Sequence, residues 1–216
     1  MSEERQNGAK PSLFGIILSP TEQFERIKQR PAIWGAMIIV TIITVIGSWL
    51  LSLGIELPEE VRELPGVEAV TKGGIIFTGL FTPILGVLIS SFIYWIIIKI
   101  ARTEATFQQL FSMNTHIMLI SAISTLINGA LTAVLGGDGE TFFTSLGSLI
   151  NVEGAAAGIF NSLEVFSIWV VILSAIGLHK VGELSKGLAW TISIAFFVIG
   201  VIFSMIGAAF SANLGV

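Results

Sequence analysis

Five uninterrupted apolar runs dominate this chain, at residues 32–53, 75–98, 113–135, 158–178 and 188–210, and Glu164 is the only formally charged residue inside them. A helix of about 20 apolar residues matches the hydrocarbon thickness of a bilayer. Inside lipid the backbone must satisfy its own hydrogen bonds, which leaves helices as the reading for such runs. The rest of the composition agrees. Only 12% of the 216 residues are charged, against about 25% in ordinary soluble domains, so the chain has too little charge to cover a water-facing surface. The expected fold class is therefore an all-α polytopic membrane bundle of five transmembrane helices with a short N-terminal amphipathic interfacial helix.

Two regions follow: a cytosolic N-terminal segment, 1–31, carrying the interfacial helix, and a five-helix membrane domain, 32–216. The segment is polar through Lys10 and lacks the apolar core and small-residue cleavage site of a secretory signal. The patch 13–18 is too short to span. Ser19, Pro20, Thr21 and Glu22 read as a capping box with proline in the first helical turn, opening a helix over 20–29. Phe24 and Ile27 fall on one side of it, with Arg26, Lys28 and Arg30 around them, a pattern suited to the headgroup plane. Packing on the protein's own cytosolic surface is the plainer alternative. Between the first two spans, residues 57–65 suggest a short acidic amphipathic helix. Residues 136–157 read as part helix, part Gly-rich flexible loop.

Lys and Arg set the orientation. Five precede the first span (Arg5, Lys10, Arg26, Lys28, Arg30), two follow the second (Lys99, Arg102) and two follow the fourth (Lys180, Lys186). The opposite side holds Arg62 and Lys72 alone. The positive-inside rule then places the N-terminus in the cytosol and the C-terminus outside.

Within lipid, helices associate through small residues and facing polar side chains. Stripes of this kind are expected at Thr41, Thr44, Ser48 and Ser52; at Thr78, Thr82, Gly86 and Ser90; and at Ser193, Gly200, Ser204, Gly207 and Ser211. The third span is the most polar, with Asn114, Ser121, Thr125, Asn128 and Thr132 on one face. That face, together with Asn161 and Glu164, is either helix packing or the lining of a polar cavity. Glu164 lies near the outer end of its span. It is therefore either buried and functional or able to snorkel to water. His116 falls almost opposite the Asn128 stripe and reads as an interfacial or packing histidine rather than a proton relay. His179, Lys180, Glu183 and Lys186 form a charged cytosolic turn able to meet a partner.

Catalytic chemistry has little to stand on. Asp138 is the single aspartate, His116 and His179 the two histidines, and cysteine is absent. These counts exclude a two-aspartate intramembrane protease, thiolate metal sites and disulfides. No HExxH, GxSxG or phosphate-binding loop occurs. The chain is read as a non-enzyme with no catalytic residue, cofactor, metal or nucleic-acid partner.

Three stretches carry a family resemblance. They are Leu18-Ser19-Pro20-Thr21-Glu22-Gln23-Phe24 with Arg30-Pro31, Thr106-Phe107-Gln108-Gln109-Leu110-Phe111, and Gly177-Leu178 with Gly182-Glu183-Leu184-Ser185-Lys186-Gly187-Leu188. In these the chain resembles the bacterial branch of the Yip1 family of five-span membrane proteins. The resemblance implies a cytosolic N-terminus and a non-enzymatic protein that acts through partners, as an accessory, assembly or scaffold factor for a membrane transport or trafficking machinery. Eukaryotic members contact Rab-type GTPases through a longer N-terminal region than the roughly thirty residues here. The implied partners are the lipid bilayer and another membrane protein, such as a transporter complex, and a homo-oligomer is compatible with the sequence. The alternative is a small transporter or channel using the third span's polar stripe.

Overall fold

The computed structural model describes residues 9–55, 64–137, 139, 141–150 and 152–214. Its helices are α1 (Gly15–Leu18), α2 (Pro20–Gln29), α3 (Trp34–Gly54), α4 (Val67–Ile100), α5 (Phe107–Leu135), α6 (Ala155–Ser162), α7 (Val165–Lys180) and α8 (Lys186–Leu214), with a 3-10 turn at Leu146–Leu149. No strand occurs among the described residues. Among the described residues four helices are long and apolar enough to cross a membrane: α3, α4, α5 and α8. The acidic helix expected over 57–65 lies almost wholly outside the described residues.

The fourth expected span is not one helix. The run 158–178 breaks at Leu163 and Glu164, leaving α6 with 8 residues and α7 with 16. At 1.5 Å per residue α7 covers about 24 Å, short of the roughly 30 Å hydrocarbon layer. Its apolar composition hid the break, because Leu163 adopts a non-helical conformation in the middle of an apolar run. α4 also begins earlier than expected, at Val67. An i,i+4 ion pair between Lys72 and Glu68 (2.6 Å) extends the helix into the polar region.

The chain divides into two compact units. The first holds Met1–Ile42, Phe81–Ser121 and Trp169–Ile194; the second holds Ile43–Leu80, Ala122–Ile168 and Ala195–Val216.

In the first unit α2 forms as expected, but Phe24 and Ile27 are fully buried. The apolar side that the interfacial reading gave to lipid thus packs against protein. Phe14 and Leu18 are the exposed apolar residues beside it. The expected capping box at Ser19 is not made: the Ser19 hydroxyl donates to the Gly15 carbonyl instead. Gln23, buried, accepts from the Ser12 backbone amide at 2.7 Å and fixes the turn into the helix. A true reciprocal box caps α5. The Gln109 carboxamide accepts from the Thr106 amide (2.8 Å), while the Thr106 hydroxyl accepts from the Gln109 amide (3.3 Å). Gly177 lets α7 approach closely, since a Cβ there would lie 2.7 Å from Met113 Sδ and 3.2 Å from Phe24 Cζ.

In the second unit α3 and α5 cross through glycines. A Cβ on Gly47 would meet the Leu126 amide nitrogen at 2.7 Å, and one on Gly129 would collide with the Gly47 carbonyl. Such crossings let backbones touch in the absence of a hydrophobic drive between helices. Of the expected α3 stripe, Thr44, Ser48 and Ser52 are buried and Thr41 is half-buried. The α4 stripe does not: Thr78, Thr82 and Gly86 are exposed, and Gly79, Pro83, Val87 and Ser91 form the buried edge one residue further on. On α8, Ser193 is buried whereas Gly200 and Gly207 face open space. A serine or threonine that donates to its own preceding turn, as Thr191 does to the Gly187 carbonyl, is satisfied without any facing helix.

Candidate functional site

Three polar groupings are the candidates: one in the second unit and two clefts in the first. The break before α7 builds the buried one. Leu163 and Glu164 leave helical geometry, and the loop before α6 closes over them. The Leu146 amide donates to the Leu163 carbonyl at 3.0 Å, and Ser145 bridges Glu164 in antiparallel fashion. The loop residues thereby supply partners to the irregular backbone of the break, as buried polar backbone requires. Gly147 permits the closure, since a Cβ there would run into the Asn161 carboxamide oxygen.

Glu164 is 6% exposed and does not reach water by snorkelling. Oε1 accepts from the Ser124 hydroxyl, from Thr144 Oγ1 at 2.6 Å and from Asn128 Nδ2 at 3.1 Å, and Oε2 accepts from Ser167 Oγ at 3.3 Å. Asn128 also accepts from the Thr144 amide at 3.1 Å, so the carboxamide ties α5, the loop and the break together. The carboxylate lies at the N-terminal end of α7, where the helix dipole favours negative charge. Chemically this is a carboxylate held by four donors.

The five polar residues of the third span are divided between the two units. Asn128 and Thr132 are buried in the second unit, with the Thr132 hydroxyl donating to the Asn128 carbonyl at 2.9 Å. Thr125 is half-buried there, and its neighbour Ser124 faces Glu164 instead. In the first unit Asn114 Nδ2 donates to the buried Ser91 hydroxyl at 2.9 Å, and Ser121 is half-buried. His116 donates from Nδ1 to the Ser112 carbonyl at 2.7 Å and is buried, as a packing histidine would be. Sequence reasoning missed Ser124, Thr144 and Ser167. Ser167, three residues past Glu164 and one turn along α7, was the readable one.

The charged turn after α7 separates into two clefts of the first unit. Gly182 makes the turn possible, because a Cβ there would sit 2.6 Å from the Leu178 carbonyl. Glu183 follows with φ 58°, and His179 Nδ1 donates to the Leu184 carbonyl at 2.7 Å. One cleft, of about 490 Å³, is lined by Glu25, Lys28, Glu104, Thr106, Gln109 and Glu183, among others. There Lys28 Nζ lies 2.6 Å from Glu183 Oε1, and the Glu104 amide donates to Oε2 at 3.4 Å. The Lys28 hydrogen bond holds the Glu183 carboxyl below its ordinary range; burial opposes it, and the Glu104 amide and the Lys28 charge add smaller downward effects. His179, Lys180 and Lys186 line a second cleft of about 410 Å³. Among the described residues no group of three or more His, Asp or Glu could hold a metal ion.

Comparison with known proteins fits this membrane architecture. The family model described as Yip1 domain matches residues 14–208. Over 216 aligned residues the chain is 36% identical to a protein named membrane protein YknW from Bacillus subtilis (strain 168), covering 95% of this chain and 94% of that one. No solved structure matches.

Proposed function

Because the chain belongs to the Yip1 domain family, we propose that this multi-pass integral membrane protein is a non-enzymatic accessory or scaffold factor for a membrane transport or trafficking machinery. It acts by holding another membrane protein, such as a transporter complex. The observation that carries this reading is the pairing of Glu164 with Ser124, Asn128, Thr144 and Ser167. Its acceptor capacity is spent on the protein's own side chains, which supports a structural knot over a conducting path. Surfaces for a partner are available: exposed apolar residues along α4 and α8, and the cytosolic cleft with Glu25, Glu104 and Glu183 against Lys28. That cleft suits a basic juxtamembrane segment.

In this reading the broken segment α6–α7 still crosses the bilayer as the fourth of five passages. The N-terminus is cytosolic, the C-terminus lies outside, and α1 and α2 rest at the headgroup level through Phe14 and Leu18. The transporter alternative draws on the helix break at a buried carboxylate, since interrupted helices form ion sites in many carriers.

Proximity labelling in the native membrane, paired with flux assays in liposomes, separates the two. A reproducible membrane-protein neighbour, lost on Glu183→Lys, and no flux support the scaffold. Solute or ion flux that falls on Asn128→Leu or Glu164→Gln, with no neighbour, overturns it.

A further inference from the structure

We infer that the cleft of about 410 Å³ lined by His179, Lys180, Lys186, Thr21 and Trp190 is a binding site for the headgroup of an anionic glycerophospholipid. Three observations converge on it. First, its polar wall is basic. Lys180 is shared with Glu25 at 2.7 Å, whereas Lys186 meets no carboxylate among the described residues. The ammonium of Lys186 is therefore available to a phosphate oxygen. Second, Lys186 is the first residue of α8, a helix of 29 residues, and Ser185 caps that end by accepting from the Leu188 amide. The positive end of the helix and the lysine thus add at the same place. Third, the cleft has an apolar rim suited to glyceride and acyl carbons. Trp190, Ile176 and Ala175 line it, and the Trp190 indole is 43% exposed.

This mixture decides between ligand sources. A soluble phosphate would use the lysines and leave the Trp190 and Ile176 side of the cleft in water. A phospholipid uses both halves, and basic pockets between membrane helices are known sites for such headgroups. Indole at the membrane interface has the same preference. His179 is held in place by its bond to the Leu184 carbonyl. Its orientation therefore does not depend on the ligand.

The test uses the full chain purified in neutral detergent and titrated with phosphatidylglycerol or with phosphatidylcholine of the same acyl chains, retained lipid being read by native mass spectrometry. Phosphatidylglycerol is expected to be retained and phosphatidylcholine not. Lys186→Gln, an exposed side chain with no internal ion pair, should weaken retention about fivefold, the scale for one lysine at an anionic surface. Lys186→Arg should restore it. Equal retention of the two lipids, or wild-type behaviour of Lys186→Gln, overturns the site. Thermal stabilisation by inorganic phosphate alone equal to that by phosphatidylglycerol assigns the cleft to a soluble anion and overturns the lipid.

Discussion

Lys28 and Glu183 meet at 2.6 Å between Nζ and Oε1, joining the C-terminal end of α2 to the turn between α7 and α8. Both side chains are substantially solvent-exposed, so the pair is screened by salt and contributes modestly. Its pH dependence nevertheless has a definite sign. The folded-state Glu183 carboxyl titrates below its ordinary value of 4.5. The stability it adds is present above 4.5 and is lost as pH falls through the lower folded-state value. Thermal melts of wild type and Lys28→Met should differ at neutral pH and converge under acid conditions. A gap that widens on acidification would reverse the assignment.

Asn128→Leu removes a donor from Glu164 and an acceptor from the Thr144 amide. A buried group left unpaired costs about 1–3 kcal/mol; the Thr144 amide becomes one, while Glu164 loses one of its four donors and keeps Ser124, Thr144 and Ser167. The variant should melt well below wild type in detergent, and Glu164→Gln should melt between the two, since its amide keeps an acceptor oxygen. Calorimetry or fluorescence melting checks the order.

Two glycines should respond unequally to alanine. At Gly129 a Cβ meets the Gly47 carbonyl, which is backbone, whereas at Gly177 it meets the flexible Met113 thioether first. Overpacking typically costs about 1–3 kcal/mol; Gly129→Ala is expected at or above the top of that range and Gly177→Ala near the bottom. Equal losses would show that the α3–α5 crossing yields as easily as a side chain.

Gly147→Val should drive the 3-10 turn off Asn161 and uncover the break before α7. The Leu146 amide, now donating to the Leu163 carbonyl, should exchange its hydrogen faster by at least the factor of ten that a loss of about 1.4 kcal/mol implies. Amides in the middle of α5 should keep their rates. Hydrogen exchange with fragment mass analysis reads both.

Hydropathy made four of the membrane helices legible, because an uncharged run of that length has one satisfactory backbone conformation in lipid. It could not expose the interruption at Leu163 and Glu164. A break between two apolar helices changes hydrogen bonding and leaves composition unaltered. Glu164 was visible as the one charge in a span, but its partners were not, since Thr144 reaches it from a loop with no periodic pattern. The stripe on α4 was misplaced because threonine and serine can satisfy themselves on their own helix, leaving Val87 and Pro83 to mark the inner edge. The capping signal was read at Ser19, where proline and glutamate fit the spacing, while the reciprocal box formed at Thr106 and Gln109. Tertiary bonds from Gln23 and Gly15 decided that contest locally.

The shortness of α7 also bears on the surrounding lipid. A continuous rod of about 24 Å against a hydrocarbon layer of roughly 30 Å leaves a mismatch of several ångströms. Bilayers accommodate such a deficit by thinning around the short rod or by recruiting neighbours that share it. On the reading that this segment crosses with α6 lying at the interface, the protein carries a built-in preference for thin patches of membrane. Assemblies gathered around it would inherit that preference.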